Sequence, residues 1–280
     1  MSLPWRADFA ATAPFHHIAH LAARLDGADW PTLQLLNALA EAQGLVNAAG
    51  LPLRFAAQQV RCGQWDYEAG ILASGVVPSR ERNWHDLLNA LTWLAFPLAK
   101  AALNAAQCSE LGKMREQPRG QRQGSARGAR SDAATLFDES GLLLLGRTED
   151  LARLLAARHW QEAFVARRPA WQELRAYAFG HAVLEKLLAP WPGITAKCLF
   201  LAVDALPPPG APPAWLDGAL AEACRAGRIS RPGDLFPLPV LGIPGWWPAN
   251  TDAAFYQDST VFRPFRRNPP SVANEAGDAS

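Results

Sequence analysis

The sequence lacks an excess of charge of either sign. Its 280 residues include 27 lysines and arginines and 26 aspartates and glutamates, which gives a formal net charge of +1. A nearly neutral chain has no general electrostatic affinity for nucleic acid or for an anionic membrane. We therefore expect no membrane partner, find little support for nucleic acid, and leave a small-molecule or protein partner open.

Cysteine is scarce, and several catalytic motifs are missing. The four cysteines stand far apart without a C-x-x-C pair, which excludes a zinc ribbon and a disulfide framework. The chain has no Gly-rich phosphate loop, no G-x-S-x-G elbow and no H-E-x-x-H motif. Nucleotide-dependent and serine-hydrolase chemistry therefore have little support.

Long hydrophobic runs are also missing. The longest apolar stretch, residues 87–106, is interrupted by two asparagines, a proline and a lysine, which is typical of a buried helix rather than a bilayer span. The first 21 residues contain three histidines and no continuous apolar segment, so they do not indicate an export signal. We expect a soluble, cytoplasmic protein.

The pattern of apolar residues predicts the secondary structure. Helical spacing predicts helices over residues 30–49, 84–104, 148–164, 171–188, 194–203 and 215–226, with either a kink or a junction of two helices at Pro97. Residues 51–58 predict a short strand, 67–75 a helical turn or a strand, and 135–145 (TLFDESGLLLL) a hairpin.

These elements predict an α+β fold that is predominantly helical. We expect a single globular domain over residues 1–267, with a small sheet or hairpin and an irregular C-terminal tail rich in proline and tryptophan. Residues 113–130 are basic and poor in apolar side chains, which predicts a flexible loop within the domain. Residues 268–280 predict a disordered C-terminus.

The first candidate site lies where the 84–104 helix begins. Asn83 is a good N-cap, and His85, Asp86 and Asn89 share one end of one helix face. This group could be catalytic, with His85 as a general base oriented by Asp86, or His85 could be a metal ligand. The alternative is that Asn83 and Asp86 only cap the helix and that His85 donates to a nearby carbonyl.

The second candidate site is His181 and Glu185, four residues apart in FGHAVLEK. If the two helices pack together, His85, His181 and Glu185 could bind a divalent metal, although the same spacing occurs in any helical His–Glu pair. Asp138 and Glu139 could add a carboxylate, but acidic residues beside Ser140 and Gly141 are also ordinary turn formers.

A third candidate is the loop GIPGWWPAN, which places Trp246 and Trp247 side by side. Such rings could stack on a planar cofactor, another small molecule or a partner side chain. They could equally well cover the core without binding anything.

Several stretches together resemble a bacterial family known as domain of unknown function 3025. They are VPSRERNWHDLLNALTWLAFPLAKAALN, TLFDESG, FGHAVLEKLLAP, LPVLGIPGWWPAN and FYQDSTVFRP, which span roughly residues 67–264. The resemblance implies that the helix after Asn83, the FGHA helix and the GIPGWW loop belong to one fold, and it implies no particular reaction. Relatives tend to carry a histidine near the position of Gln107.

Two classes of function therefore stay open. The first is a metal-assisted or general acid/base hydrolase that uses His85 and Asp86 with His181 and Glu185, and it predicts that the two histidines lie close together. The second is a non-catalytic binding protein that uses Trp246 and Trp247, and it predicts separated histidines and an exposed aromatic patch.

Overall fold

A computed structural model describes residues 3–25, 27, 29–58, 63–116 and 128–264. Helix predominates over strand in these residues, which confirms the predominantly helical α+β prediction. The predicted disordered segment 268–280 lies outside the described residues, as does most of the predicted basic loop. The helices within the described ranges are all too short or too polar to cross a membrane. The extent of the single domain stays a prediction.

The described residues form nine α-helices and six strands, joined by short 3-10 and π-helical turns. In chain order they are α1 (Ala19–Ala22), α2 (Leu33–Ala42), β1 (Arg54–Ala57), α3 (Gln64–Ser74), β2 (Val76–Ser79), α4 (Trp84–Ala95), α5 (Pro97–Glu116), α6 (Ala129–Ser140), β3 (Gly141–Gly146), α7 (Asp150–Ala156), β4 (Leu174–Ala178), α8 (His181–Leu187), β5 (Thr195–Ala202), α9 (Ala214–Arg225) and β6 (Phe236–Pro239).

A four-stranded mixed sheet in the order β4-β3-β5-β6 forms the centre of the fold. Strand β3 runs parallel to β5 and antiparallel to β4, and its six residues are all buried. Because successive side chains of a strand point to opposite faces, Leu142 and Leu144 pack on the side of α4 and α8, whereas Leu143 and Leu145 pack on the side of α5, α6 and α9. Helices therefore cover both faces.

Pro97 separates two helices, which confirms the second of the two alternatives for this position. Helix α4 ends at Ala95, and α5 begins at Pro97, where the missing N–H costs nothing because it would have no intrahelical partner. The next two N–H groups, of Leu98 and Ala99, each donate to the Asp217 carboxylate over 2.9 Å. A side chain of α9 thus caps α5.

The predicted hairpin at residues 135–145 is wrong. Residues 129–140 form α6, which buries Ala133, Ala134 and Phe137 at helical spacing, and the chain passes directly into β3 at Gly141. A Cβ at Gly141 would meet the Phe137 carbonyl oxygen at 2.3 Å, so the glycine permits this tight helix-to-strand junction. The acidic residues before it end a helix rather than form a turn between strands.

Three predicted helices are also partly or wholly wrong. Strand β5 occupies residues 195–202 of the predicted 194–203 helix, the segment 171–188 divides into a short 3-10 helix, β4 and α8, and the segment 148–164 divides into α7 and a π-helical turn. The apolar residues of β5 are buried on both faces, so their spacing does not distinguish a central strand from a buried helix. The strand near residues 51–58 and the helix near 215–226 are confirmed, residues 67–75 fall in α3 apart from Gly75, and α2 is shorter than predicted.

Gly180, immediately before α8, lies directly against the α6–β3 junction. A Cβ at this position would meet the Gly141 nitrogen at 2.4 Å and the Glu139 carbonyl oxygen and Ser140 nitrogen at 2.5 Å, all of them backbone atoms. The Gly180 N–H also donates to the Gly141 carbonyl over 2.9 Å. This contact fixes the start of α8, and with it His181, beside the end of α6.

We predict that Gly180→Ala lowers the free energy of unfolding by about 1–3 kcal/mol, because rigid backbone surrounds the added methyl group. Gly218→Ala in α9 is the matched control, since a Cβ there meets nothing within 4 Å and should stabilise the helix by up to about 1 kcal/mol. Urea unfolding of both variants measures the difference. Equal effects of the two substitutions would contradict the proposed close approach.

Candidate functional site

The candidate site is a cavity of about 570 Å³ enclosed by α3, α4, α5, α6 and the start of α8. Most of its lining side chains are polar or charged. They are Gln58, Gln64, Tyr67, Glu68, Arg80, His85, Asp86, Asn89, Lys100, Asn104, Gln107, Thr135, Asp138, Glu139 and His181, with Ile71, Pro78 and Trp93 as the apolar part. A cavity of this size suits a small molecule.

Two imidazoles meet in this cavity. His85 is the second residue of α4, whose N-cap Asn83 accepts from the Asp86 N–H, and His181 is the first residue of α8. Their Nε2 atoms are 3.1 Å apart, and the rings are nearly perpendicular. Burial lowers the pKa of His181 to about 3, so that ring is neutral at ordinary pH and offers a lone pair.

Three carboxylates surround the two rings. Glu185 Oε2 lies 2.9 Å from His85 Nδ1, and Glu139 Oε1 lies 3.6 Å from His181 Nε2. Asp138 Oδ2 lies 3.7 Å from His181 Nδ1, a buried nitrogen without a hydrogen bond. His85, His181 and Glu139 each offer one ligand atom, and these three atoms lie within 4.8 Å of one another. Such a group could hold a metal ion.

Lys100 connects this group to the floor of the cavity. Its ammonium group is almost fully buried, contacts Asp138 Oδ1, donates to Asn89 Oδ1 over 2.8 Å and lies 5.3 Å from the centre of the Trp93 ring. Burial alone would raise the pKa of Asp138, but Lys100 and then His181 outweigh it and lower that pKa. Asp138 is therefore ionised and paired.

The cavity also contains Glu68 and Tyr67 of α3. Glu68 Oε2 accepts from Asn104 Nδ2 over 2.7 Å, and burial raises the pKa of Glu68 to about 7. Tyr67 OH accepts from Asn89 over 3.2 Å, and burial raises its pKa well above the ordinary value, so the phenol stays protonated. Both groups can exchange hydrogen bonds with a bound molecule.

The predicted catalytic residues lie in the cavity with different partners from those expected. Asp86 accepts two hydrogen bonds from the Arg80 side chain, over 2.8 and 2.9 Å, and a third from the Arg80 N–H. The carboxylate that contacts His85 is Glu185. Asn89 is buried and joins Lys100 to Tyr67.

The predicted metal ligands are brought together, but Glu139 lies nearer the shared position than Glu185 does. Glu185 faces the outer nitrogen of His85, whereas Glu139 faces the inner nitrogen of His181. Asp138 and Glu139 were expected to be turn formers because the sequence was read as a hairpin. The signal that was missed is that TLFDES ends a helix, which lies beside the start of α8 and brings the Asp138 and Glu139 carboxylates close to His181.

The sequence did not indicate that Lys100 and Glu68 belong to the site. Their only distinguishing property is that they are ionisable residues within helices that also contain apolar residues. Gln107 donates to Thr135 Oγ1 over 3.0 Å. It lines the cavity but is not one of the three residues that could hold a metal ion.

Trp246 and Trp247 lie outside this cavity. Both are partly buried and pack against the main core, so they do not form the exposed patch that the binding hypothesis predicts. Trp246 borders a separate groove of about 640 Å³ beside Arg168 and Arg175. Their proposed ligand-binding role stays a prediction.

Comparison with known proteins gives one match. A family model described as "Protein of unknown function (DUF3025)" matches residues 53–266, a range that includes every residue of the candidate site. No curated protein and no solved structure shows significant similarity to the chain.

We predict that Lys100→Met lowers the free energy of unfolding by about 3–5 kcal/mol, because it leaves the Asp138 carboxylate buried without its cation. The double variant Lys100→Met, Asp138→Asn should recover most of this loss, since neither buried charge remains. Urea unfolding at neutral pH measures both. A double variant no more stable than the single one would show that the unpaired Asp138 charge does not cause the loss of stability in Lys100→Met.

Proposed function

Since the chain belongs to the DUF3025 family, whose description names no activity, we propose from the site itself that the protein is a metal-dependent hydrolase of small molecules. In this proposal His85, His181 and Glu139 hold a divalent metal ion. The observation that carries it is the convergence of three ligand atoms, from three different helices, within 4.8 Å in a cavity.

The spacing of the two imidazoles supports this assignment. Two nitrogens bound tetrahedrally to zinc at their usual distances are roughly 3.3 Å apart. The observed Nε2–Nε2 separation is 3.1 Å. Because Glu185 faces His85 Nδ1, the proton of that ring belongs on Nδ1, and the Nε2 lone pair points at His181.

The carboxylates behind the rings support it further. Metal-binding histidines almost always donate their outer N–H to a carboxylate, a carbonyl or water, which orients the ring and raises its basicity. Glu185 occupies that position for His85 at 2.9 Å, and Asp138 lies behind His181 at 3.7 Å. Glu185 thus orients His85, whereas Asp138 is close to His181 but beyond hydrogen-bond distance.

Charge balance also favours a divalent cation. Arg80 pairs with Asp86, and Lys100 pairs with Asp138, so these four charges cancel. Glu139 and Glu185 remain beside two histidines, of which His181 is neutral. Burial, followed by the nearby Asp138, raises the pKa of Glu139, which is the effect expected where a carboxylate lacks a cation.

A divalent metal ion held by His85, His181 and Glu139 would activate a water molecule as the nucleophile of hydrolysis. The chain itself contributes the polar cavity, whose side chains would position a substrate. Protonated Tyr67 offers a hydrogen-bond donor to an oxygen that becomes negative during the reaction.

A second candidate is a metal-free hydrolase in which His85 is the general base. The 2.9 Å contact between His85 Nδ1 and Glu185 supports it, because a carboxylate in that position orients the ring and stabilises its protonated form. Glu185 would then take the role expected for Asp86. The two candidates differ in whether His181 and Glu139 are ligands.

Metal content decides between them. We predict near-stoichiometric metal in untagged, natively purified protein, measured by elemental mass spectrometry, and its loss from His85→Ala, His181→Ala and Glu139→Ala. Glu185→Gln should weaken zinc affinity by about 10- to 100-fold, as substitutions behind a metal ligand typically do. Hydrolysis of small esters and amides should stop on chelation and return with the metal.

His159→Ala is the matched control, because it removes an exposed imidazole that does not line the cavity. Its metal content should equal that of the wild type. Wild-type protein that takes up no zinc, manganese or magnesium would overturn the metal proposal. Hydrolysis that survives chelation and is lost in His85→Ala would favour the metal-free candidate.

A further inference from the structure

Glu68 is the carboxylate of the cavity whose charge is not accounted for. It lies on α3, is 7% exposed, and receives one side-chain hydrogen bond from the described residues, from Asn104 Nδ2 to Oε2. No described cation forms an ion pair with it. Lys100, the cation that acts on Glu68 from a distance, is already bound to Asp138 and Asn89.

Among the described residues, the cations that line the cavity are already paired, Arg80 with Asp86 and Lys100 with Asp138, so neither is left for the Glu68 carboxylate. Taking an unpaired carboxylate out of water is costly, and burial accordingly raises the pKa of Glu68 to about 7, so that a large fraction of the group is protonated at neutral pH unless a cation binds beside it. A ligand with one positive charge would remove that cost.

Asn104, beside Glu68, adds a second acceptor. Its side chain is 2% exposed, and its Nδ2 donates to both the backbone oxygen and the carboxylate of Glu68. Its Oδ1 is buried and has no hydrogen-bond partner among the described residues, which is unusual for a polar atom inside a protein. Glu68 and Asn104 together offer acceptors that lack donors.

We propose that Glu68 and Asn104 form a subsite for a protonated nitrogen group, an ammonium or guanidinium, carried by the small molecule that occupies this cavity. The assignment of that molecule as a hydrolase substrate rests on the proposed function. The subsite itself depends only on Glu68, Asn104 and the cavity.

The surroundings agree with a small cationic ligand rather than a macromolecule. The cavity holds about 570 Å³, and the walls near this pair carry the neutral side chains of Gln64, Gln107 and Thr135, which already bond to one another. These groups do not repel a cation. The charge of Glu68 would thus make the cavity bind a cationic ligand more tightly than a neutral ligand of the same shape.

Two small probes of matched shape test this subsite directly. Butylguanidine carries a positive charge with several N–H donors, whereas butylurea is neutral and nearly isosteric. Using the full chain and ligand-observed NMR, we expect the wild type to bind butylguanidine about tenfold or more tightly than butylurea. Glu68→Gln, which keeps the shape and removes the charge, should reduce that preference to about twofold or less.

Glu41→Gln is the control, because it removes the same charge from an exposed position on α2. It should keep the wild-type preference. Glu68→Asp should retain a preference for the cation, since the charge remains. Equal binding of butylguanidine and butylurea to the wild type would overturn the proposed subsite, and this comparison requires no variant. An unchanged preference in Glu68→Gln would overturn it as well.

Metal content measured on the same samples separates this inference from the proposed function. Glu68→Gln should keep its metal while it loses the preference for butylguanidine. His85→Ala should lose its metal while it keeps that preference. A protein without metal that still selects the cation would refute the metal proposal and leave the subsite intact.

Discussion

The close approach of the chain at Gly180 to the junction between α6 and β3 is the constraint on which the site depends. Without a side chain at this position, the backbone before α8 lies against the backbone of residues 139–141. His181 follows Gly180, and Asp138 and Glu139 precede the junction. One steric contact therefore brings an imidazole and two carboxylates from distant parts of the sequence to the same corner of the cavity.

The second feature that shapes the site is the burial of charge in a protein with an ample apolar core. Buried ion pairs give little net stability, because the cost of removing both charges from water offsets their attraction. Lys100 and Asp138 are nevertheless held beneath the two histidines by Asn89 and Trp93. Such an arrangement is better explained by the chemistry of the cavity than by the needs of folding.

The polar groups of the cavity divide into two sets with different properties. Around His85 and His181, ligand atoms of three residues lie within 4.8 Å of one another, a group that could hold a metal ion. Around Glu68 and Asn104 the acceptors are dispersed along a wall of neutral side chains, which suits the donors of an organic ligand. A ligand that contacts both sets would carry its cationic group at one end and its reactive bond at the other.

The sequence by itself determined the helical content, the Asn83 cap, the break at Pro97 and the two histidines as candidates, because each depends on residues a few positions apart. Only the tertiary structure decided that His85 and His181 meet, that Glu185 rather than Asp86 faces His85, and that Lys100 and Glu68 belong to the same cavity. These contacts join residues separated by about 30 to 100 positions, and local spacing has no information about them. The segment that forms β5 was misassigned as a helix for a related reason, since burial on both faces removes the periodicity that distinguishes strand from helix.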